Sequence, residues 1–551
     1  MRKGRGFLLL LELFTYLGEK TRYILLVNII LGAVTGFGEL KAITSFSPVI
    51  SSLNKLDSQN NQGTEEIVIF LVTIFLVTIL RLISTWTRAY GTAVIVNRIN
   101  TTCYRSICEI DYQDKSKLSI SRITSLLVGH IEATSGTVNA FLQIAISSFS
   151  VFGILIALFL YEFNGSFISL ISVFAIYTLL FLFSYKPLLR LSKKIADSID
   201  LQAQLAKEVK SGSRIIEIDN LKEYYCKRNA ENDLHYRRSV AYHQLIGSLP
   251  KNIIEGMAII IIISIAMVFT ESNKVQLIGV IALSGQRLLP LVQQIFSGWI
   301  CIEGSVFSLE KVIYMIKKGH LLKPTSKSKI KVLNSIGLRS CSFSYDGSNK
   351  VLDDFNLNIN KGEKILIRGD SGSGKTTTMD LLLGLLKPGE GQLILNGEAV
   401  GKYESLPFDR ISYAPQNVFI RPGTITQNIA IGEKIVDFSK LKKSIQLSSV
   451  NRFINEDQIR KDLVTISDDG ESLSGGQRQR IGIARAIYKN PDFLFLDECT
   501  SAMDKDLERK IFEALMKNLD SMAIIVISHS KHIDDLFDRI IDMEEYNNLK
   551  I

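Results

Sequence analysis

The segment Gly369-Asp370-Ser371-Gly372-Ser373-Gly374-Lys375-Thr376 follows the apolar run Lys364–Arg368 and opens a helical stretch near Lys375. It has the GxxxxGK[ST] spacing in its strand–loop–helix context. The glycines let the backbone curl, so that successive N–H groups converge on phosphate oxygens. The helix N-terminus adds about half a positive charge. Lys375 would reach the outer phosphates and Thr376 would bind Mg²⁺. Residues Gly369–Thr377 are therefore the candidate nucleotide-binding loop. Asp497 and Glu498 end a second apolar run, Phe493–Leu496. Beside bound nucleotide, Asp497 would hold the metal through water and Glu498 would polarise the attacking water.

A third motif narrows the reading. Residues 473–477 are Leu-Ser-Gly-Gly-Gln, about twenty positions before Asp497. With that signature, residues 330–551 resemble the nucleotide-binding domain of an ABC transporter. The resemblance assigns further roles. Tyr345 would stack on adenine. Gln416 would sense metal, γ-phosphate and the membrane domain. His529 would contact the γ-phosphate. Ser501, Ala502, Met503 and Asp504 would form the D-loop, with Met503 where leucine is commoner. Lys375, Gln416, Glu498 and His529 are the catalytic candidates, and Thr376, Gln416 and Asp497 the Mg²⁺ candidates. Ser474, Gly475, Gly476 and Gln477, with Asp504, complete the ATP-binding set. In the family, Ser474 and the Gly475–Gly476 backbone meet the γ-phosphate held by an opposite domain. One chain carries one such domain, so a second copy is expected, with a related half-transporter as the alternative partner. Thr465–Ser472, just before the signature, departs from the glutamate-containing loop usual in exporters.

These motifs need elements to carry them. The strand-like runs around 364–369, 492–498 and 522–529 alternate with helical stretches, which predicts a largely parallel sheet covered by helices over 335–551. The basic, proline-containing stretch 320–334 reads as a linker. Before it the composition changes. The chain has 551 residues and is 46% hydrophobic, with a mean hydropathy of +0.19. Nearly all its long apolar runs precede residue 303. About 20 apolar residues cross a bilayer as a helix. Six spans are expected, at about 22–50, 67–90, 138–162, 166–187, 246–271 and 275–303. The expected fold is thus a polytopic α-helical membrane domain (22–319) followed by an α/β P-loop NTPase domain with the ABC helical subdomain. Residues 1–21 suit an amphipathic helix at the membrane surface better than a cleaved leader.

The net charge is +9, and its placement explains it. Connection 186–245 carries twelve Lys and Arg and connection 91–135 carries five, whereas 51–66, 163–165 and 272–274 carry two between them. The two basic connections and both termini should be cytoplasmic. No nucleic-acid partner is needed. The six cysteines, at 103, 108, 226, 301, 341 and 499, have no metal-ligand spacing and read as free thiols. The basic connections continue the helical pattern and should turn near 111–118 and 215–225. By resemblance these turns are the coupling helices of an exporter-type half-transporter in a bacterial inner membrane.

Cations inside spans point to cargo, because they usually face a cavity or a partner. Arg81 and Arg88 lie seven apart in the second span, Lys251 and Glu255 four apart at the start of the fifth, and Arg287 within the sixth. Such a cavity suits an anionic head group on an amphipathic molecule in contact with membrane lipids. Stretches 222–256 and 285–296 resemble the subfamily that flips lipid-linked oligosaccharides, where Arg81 or Arg88 and Arg287 would grip a pyrophosphate. A peptide or another hydrophobic compound is the alternative cargo. A membrane-tethered regulatory ATPase is the alternative of another class.

Overall fold

The computed structural model describes residues 4–53, 62–161, 163–268, 274–320, 330, 332–347, 349–401, 406–455, 458, 464–466 and 473–548. Most of the expected linker, the segment 467–472 before the signature, and the turn expected at 272–274 except Lys274 lie outside them. The chain divides into two compact units: Met1–Ile110 with Asp114–Lys323, and Asp111–Gln113 with Pro324–Ile551.

The first unit is helical. It runs through α1 (Arg5–Tyr16), α2 (Glu19–Thr44), α3 (Phe46–Leu53), α4 (Gln62–Glu109), α5 (Tyr112–Ser116, whose first two residues group with the second unit), α6 (Ile120–Thr124), a π-helical turn Ser125–His130, α7 (Ile131–Tyr161), α8 (Phe163–Ser211), α9 (Ser213–Ile218), α10 (Lys222–Val268), α11 (Lys274–Gly304) and α12 (Val306–His320). Among the described residues, Glu19–Ile50, Glu65–Glu109 and Ile120–Leu160 are long and apolar enough to cross a membrane. Their outward rows are apolar: Val68, Leu71, Val72, Phe75, Leu76 and Leu82 on α4 are exposed. That pattern suits lipid as solvent, where small residues at helix contacts let backbones approach closely. Gly36 of α2 meets Gly153 of α7 in this way, and Gly32, one turn earlier, lies against Ile146 and Phe149. A Cβ on Gly153 would stand 2.1 Å from the Gly36 carbonyl oxygen.

The helices outrun a bilayer. At 1.5 Å per residue, α4, α8 and α10, with 48, 49 and 47 residues, exceed a ~30 Å hydrocarbon core more than twofold. Short helix α5 follows α4, and short helix α9 joins α8 to α10. The inner face of α1, Leu10, Leu13 and Phe14, packs with Ile95, Ile99 and Cys103 of α4 and with Leu309, Val312 and Ile316 of α12. Phe7, Leu8 and Leu11 on its outer face stay exposed, as an interfacial helix requires.

The second unit holds strands β1 (Ser335–Phe343), β2 (Leu352–Asn360), β3 (Lys364–Arg368), β4 (Glu390–Leu395), β5 (Glu398–Ala399), β6 (Ile411–Ala414), β7 (Gly423–Thr424), β8 (Thr465–Ile466), β9 (Phe493–Asp497), β10 (Ala523–Ile527) and β11 (Arg539–Asp542). The central sheet is wholly parallel, in the order β11-β3-β10-β9-β6. All five residues of β9 and of β10 are buried, as expected of strands covered on both faces. A second sheet, β2-β1-β4-β5, is antiparallel. A separate helical cluster buries Ile425, Ile429, Leu441, Ile445, Ile481 and Ala484. The parallel strands therefore present their carboxyl ends along one edge, where ligands bind in open α/β sheets.

Candidate functional site

The loop after β3 leads into helix α13 (Lys375–Leu382). Gly369, Gly372 and Gly374 have φ of 142°, 87° and 96°, a region that side-chain-bearing residues rarely adopt. The Ser373 N–H donates to the Asp370 carbonyl at 3.2 Å, closing the turn. Lys375 is buried, and its Nζ donates to the Gly369 and Asp370 carbonyls at 2.7 Å each. The ammonium is thus held over the loop by the backbone it encloses. Thr376 is exposed, while Thr377 is buried with its Oγ1 3.2 Å from the Tyr345 hydroxyl. Tyr345 stays 57% exposed and packs edge-on against Phe343, which leaves ring surface for stacking.

Three strand ends bring the remaining catalytic candidates together. Glu498 follows β9, Gln416 follows β6 and His529 follows β10. Glu498 Oε2 accepts from Gln416 Nε2 at 2.6 Å, and its Oε1 lies 3.2 Å from His529 Nε2. The Glu498 backbone has φ of 43°, a strained value for a non-glycine residue. Its N–H donates to the Ile527 carbonyl at 3.0 Å, which fixes the turn. Asp497 is buried and accepts from the Tyr413 hydroxyl at 3.2 Å. Burial, with Glu498 alongside and despite the Tyr413 hydrogen bond, raises its pKa. Sequence reasoning missed Asp380 and Tyr413. Burial, then the charge of Asp497, pushes Asp380 up to about 6. Burial and the same carboxylates raise Tyr413. The signal for Asp380 was its place five residues after Lys375, on a helix that begins in the loop.

The signature residues lie at the start of helix Gly475–Tyr488. Ser474 and Gln477 form a capping box: the Gln477 N–H donates to Ser474 Oγ at 3.2 Å, and the Ser474 N–H to Gln477 Oε1 at 2.8 Å. Ser474 remains exposed. Gly475 and Gly476 abut Ala502, and a Cβ on Gly476 would stand 2.9 Å from the Ala502 carbonyl oxygen. Gln479, also missed from sequence, ties this helix to the turn after β9. It donates to Ser501 Oγ at 2.9 Å and accepts from the Ala502 N–H at 3.0 Å. Asp504, expected at the nucleotide, caps helix Lys505–Asn518 in this chain by accepting from the Leu507 N–H at 3.1 Å.

The helical unit has its own cavity, of about 440 Å³. Arg81, Arg88 and Arg287 line it, with Gln143, Gln286 and Gln294 and several hydroxyl groups. Lys251 is exposed on α10 and is not among the lining residues; the Glu255 side chain lies outside the described residues. Two of the three cavity arginines also have a partner. Glu39 of α2, fully buried, takes Arg81 Nε on Oε1 at 2.7 Å and an Arg287 terminal nitrogen on Oε2 at 2.6 Å. A buried charge at this depth needs such partners. Helix register alone decides that this carboxylate reaches both arginines.

Known proteins resemble this chain throughout. Residues 352–501 match the family described as ABC transporter, and residues 25–284 match ABC transporter transmembrane region. An ATP-dependent lipid A-core flippase of Paraburkholderia xenovorans (strain LB400) is 28% identical over 351 residues, covering 62% of this chain and 58% of the relative. The heterocyst differentiation ATP-binding protein HepA of Nostoc sp. (strain PCC 7120 / SAG 25.82 / UTEX 2576) is 30% identical over 349 residues, covering 62% of this chain and 57% of the relative. The chain thus spans less than two thirds of the length of these two relatives. Its fold matches a solved structure described as a bacterial Atm1-family ABC exporter with ATP bound, with a TM-score of 0.77 at 16% identity, over 95% of this chain and 93% of the other. With a transmembrane-region match, a nucleotide-domain match and the loop, strand-end and signature residues in order, the chain belongs to the ABC transporters.

Proposed function

We propose that this chain is an ATP-driven exporter or flippase that works as a homodimer and moves an amphipathic, anionic molecule, in the first instance a lipid-linked saccharide. The observation that carries the reading is Glu498, held between Gln416 and His529 at the same sheet edge as the phosphate loop. In this arrangement Glu498 orients and polarises the attacking water. Lys375 and the Gly369–Thr377 backbone fix the phosphates, and His529 supports charge that develops on the γ-phosphate. Tyr345 offers its exposed ring to adenine.

The residues fit Mg²⁺. Thr376, Gln416 and Asp497 supply the oxygen donors a hard cation prefers. Burial first, and then the neighbouring carboxylate charge, raises the pKa of both Asp380 and Asp497, and a divalent charge would favour their ionised forms. When bound, Mg²⁺ would neutralise charge on the phosphates. Ser474, Gly475 and Gly476 present an exposed helix N-terminus, suited to a phosphate carried by a second copy.

The membrane half is read as six spans, α2 with α3 through α11, with both termini cytoplasmic in a bacterial inner membrane. Hydropathy, the basic connections and the bacterial relatives support this. Closing and reopening of the paired nucleotide domains would drive alternating access. A cavity lined by Arg81, Arg88 and Arg287, together with the relative named for lipid A-core flipping, supports an anionic lipid cargo. The test is ATP-dependent movement of labelled lipid by the purified chain alone in proteoliposomes, with Glu498→Gln as the inactive control. Hydrolysis without transport of any lipid or peptide would leave a regulatory ATPase instead.

A further inference from the structure

Three helices converge on one carboxylate. Glu39 belongs to α2, Arg81 to α4 and Arg287 to α11. One carboxylate oxygen serves Arg81 through two of its nitrogens, at 2.7 and 2.5 Å, and the other serves Arg287 at 2.6 Å. Glu39 itself is fully buried and does not line the cavity, whereas both arginines do, and the Arg81 side chain is 47% exposed. The acid therefore stands behind the cations. Arg81 is held through two of its nitrogens and Arg287 through one, and their remaining N–H groups stay available to the cavity. Arg88 lies two turns along α4 on the same wall. Its Nε is buried without a partner among the described residues, which is rare for a buried donor.

We propose, building on the anionic-cargo reading above, that Glu39 is a positioning residue for a cargo site that selects a head group of two linked phosphates, a diphosphate on a lipid. Three guanidiniums against one carboxylate leave two positive charges, and no acidic residue lines this cavity among the described residues. Without the carboxylate, Arg81 and Arg287 repel one another and lose their fixed spacing. With it, they form a fork set for bidentate recognition of phosphate oxygens. Arg88 supplies the third contact. Glutamine at position 39 accepts from only one of the arginines and turns its own amide donors toward the other.

The experiment uses the full chain in nanodiscs doped with polyisoprenyl diphosphate, polyisoprenyl monophosphate or the uncharged polyisoprenyl alcohol, with free pyrophosphate as a soluble control. The readout is the lipid fraction that half-stimulates ATP hydrolysis. Wild type should respond to the diphosphate lipid at a fraction at least tenfold below that for the alcohol, with the monophosphate between. Glu39→Gln should raise the diphosphate value at least tenfold and leave the alcohol value alone, and Glu39→Asp should fall between. If Glu39→Gln fails to fold, Glu39→Asp carries the test, and a value equal to wild type overturns the proposal. A lower value in either variant makes Glu39 a competitor of the cargo and also overturns it. Stimulation by free pyrophosphate equal to that by the lipid would remove the lipid from the proposal. A wild type that does not separate diphosphate lipid from alcohol defeats the anionic-cargo reading itself. Discrimination that survives loss of Glu39 defeats only the present inference.

Discussion

Asp380 lies on the helix that leaves the phosphate loop and Glu498 follows β9 of the same parallel sheet, and their surroundings give them different work. Glu498 accepts a hydrogen bond from Gln416 at one oxygen and lies 3.2 Å from His529 Nε2 at the other, and it is the group proposed to polarise the attacking water. Glu498→Gln keeps the shape but loses the charge. Hydrolysis should fall roughly 10²–10⁴-fold, with ATP binding by equilibrium dialysis retained. Asp380 has a folded-state pKa near 6, against 3.8 for an unperturbed group. Below pH 4 it is protonated in both folded and unfolded chains. Between about 4 and 6 it ionises first in the unfolded chain, so stability without nucleotide and Mg²⁺ falls as pH rises through that window. The loss should be on the order of 1 kcal/mol after solvent screening, and Asp380→Asn should flatten the curve of thermal midpoint against pH. Lys375, Glu498 and the signature were legible because each motif is contiguous in sequence. Glu39 was not, because its meaning depends on which side of α2 faces α4 and α11.

Two capping boxes make a controlled comparison at the scale of elements. Thr424 caps the helix Ile425–Ile429 and Ser474 caps the signature helix. Thr424→Ala and Ser474→Ala should each cost about 1 kcal/mol of stability, read by thermal unfolding. Only Ser474→Ala should also reduce hydrolysis beyond what that loss explains, because its helix end is proposed to meet a phosphate. Equal effects on hydrolysis would make Ser474 a cap and nothing more. The crossing of α2 and α7 is tested by Gly153→Val. The new side chain meets the Gly36 backbone, and overpacking of this kind costs about 1–3 kcal/mol. Hydropathy located these helices but not their close approach. Apolar content says where a helix meets lipid, whereas the crossing is set by two glycines whose importance appears only when they are opposed. The π-helical turn at Ser125–His130 likewise left no mark in the periodicity.

At the scale of the whole molecule, one chain supplies one phosphate loop and one exposed signature end, and the account joins them across two copies. The parallel sheet and the sequential motifs made the nucleotide half readable from sequence alone. The membrane half was readable as a class, but its charge balance was not, since the pairing of Arg81 and Arg287 through Glu39 joins residues far apart in the chain. The most direct test of the shared site is complementation. Lys375→Ala and Ser474→Arg chains, each purified and inactive alone, are mixed, allowed to exchange subunits in detergent, and assayed for ATP hydrolysis after reconstitution. A shared site pairs the intact loop of one chain with the intact signature of the other, so the mixture should regain activity that neither variant has. A mixture as inactive as its parts, despite confirmed subunit exchange, would contradict the account.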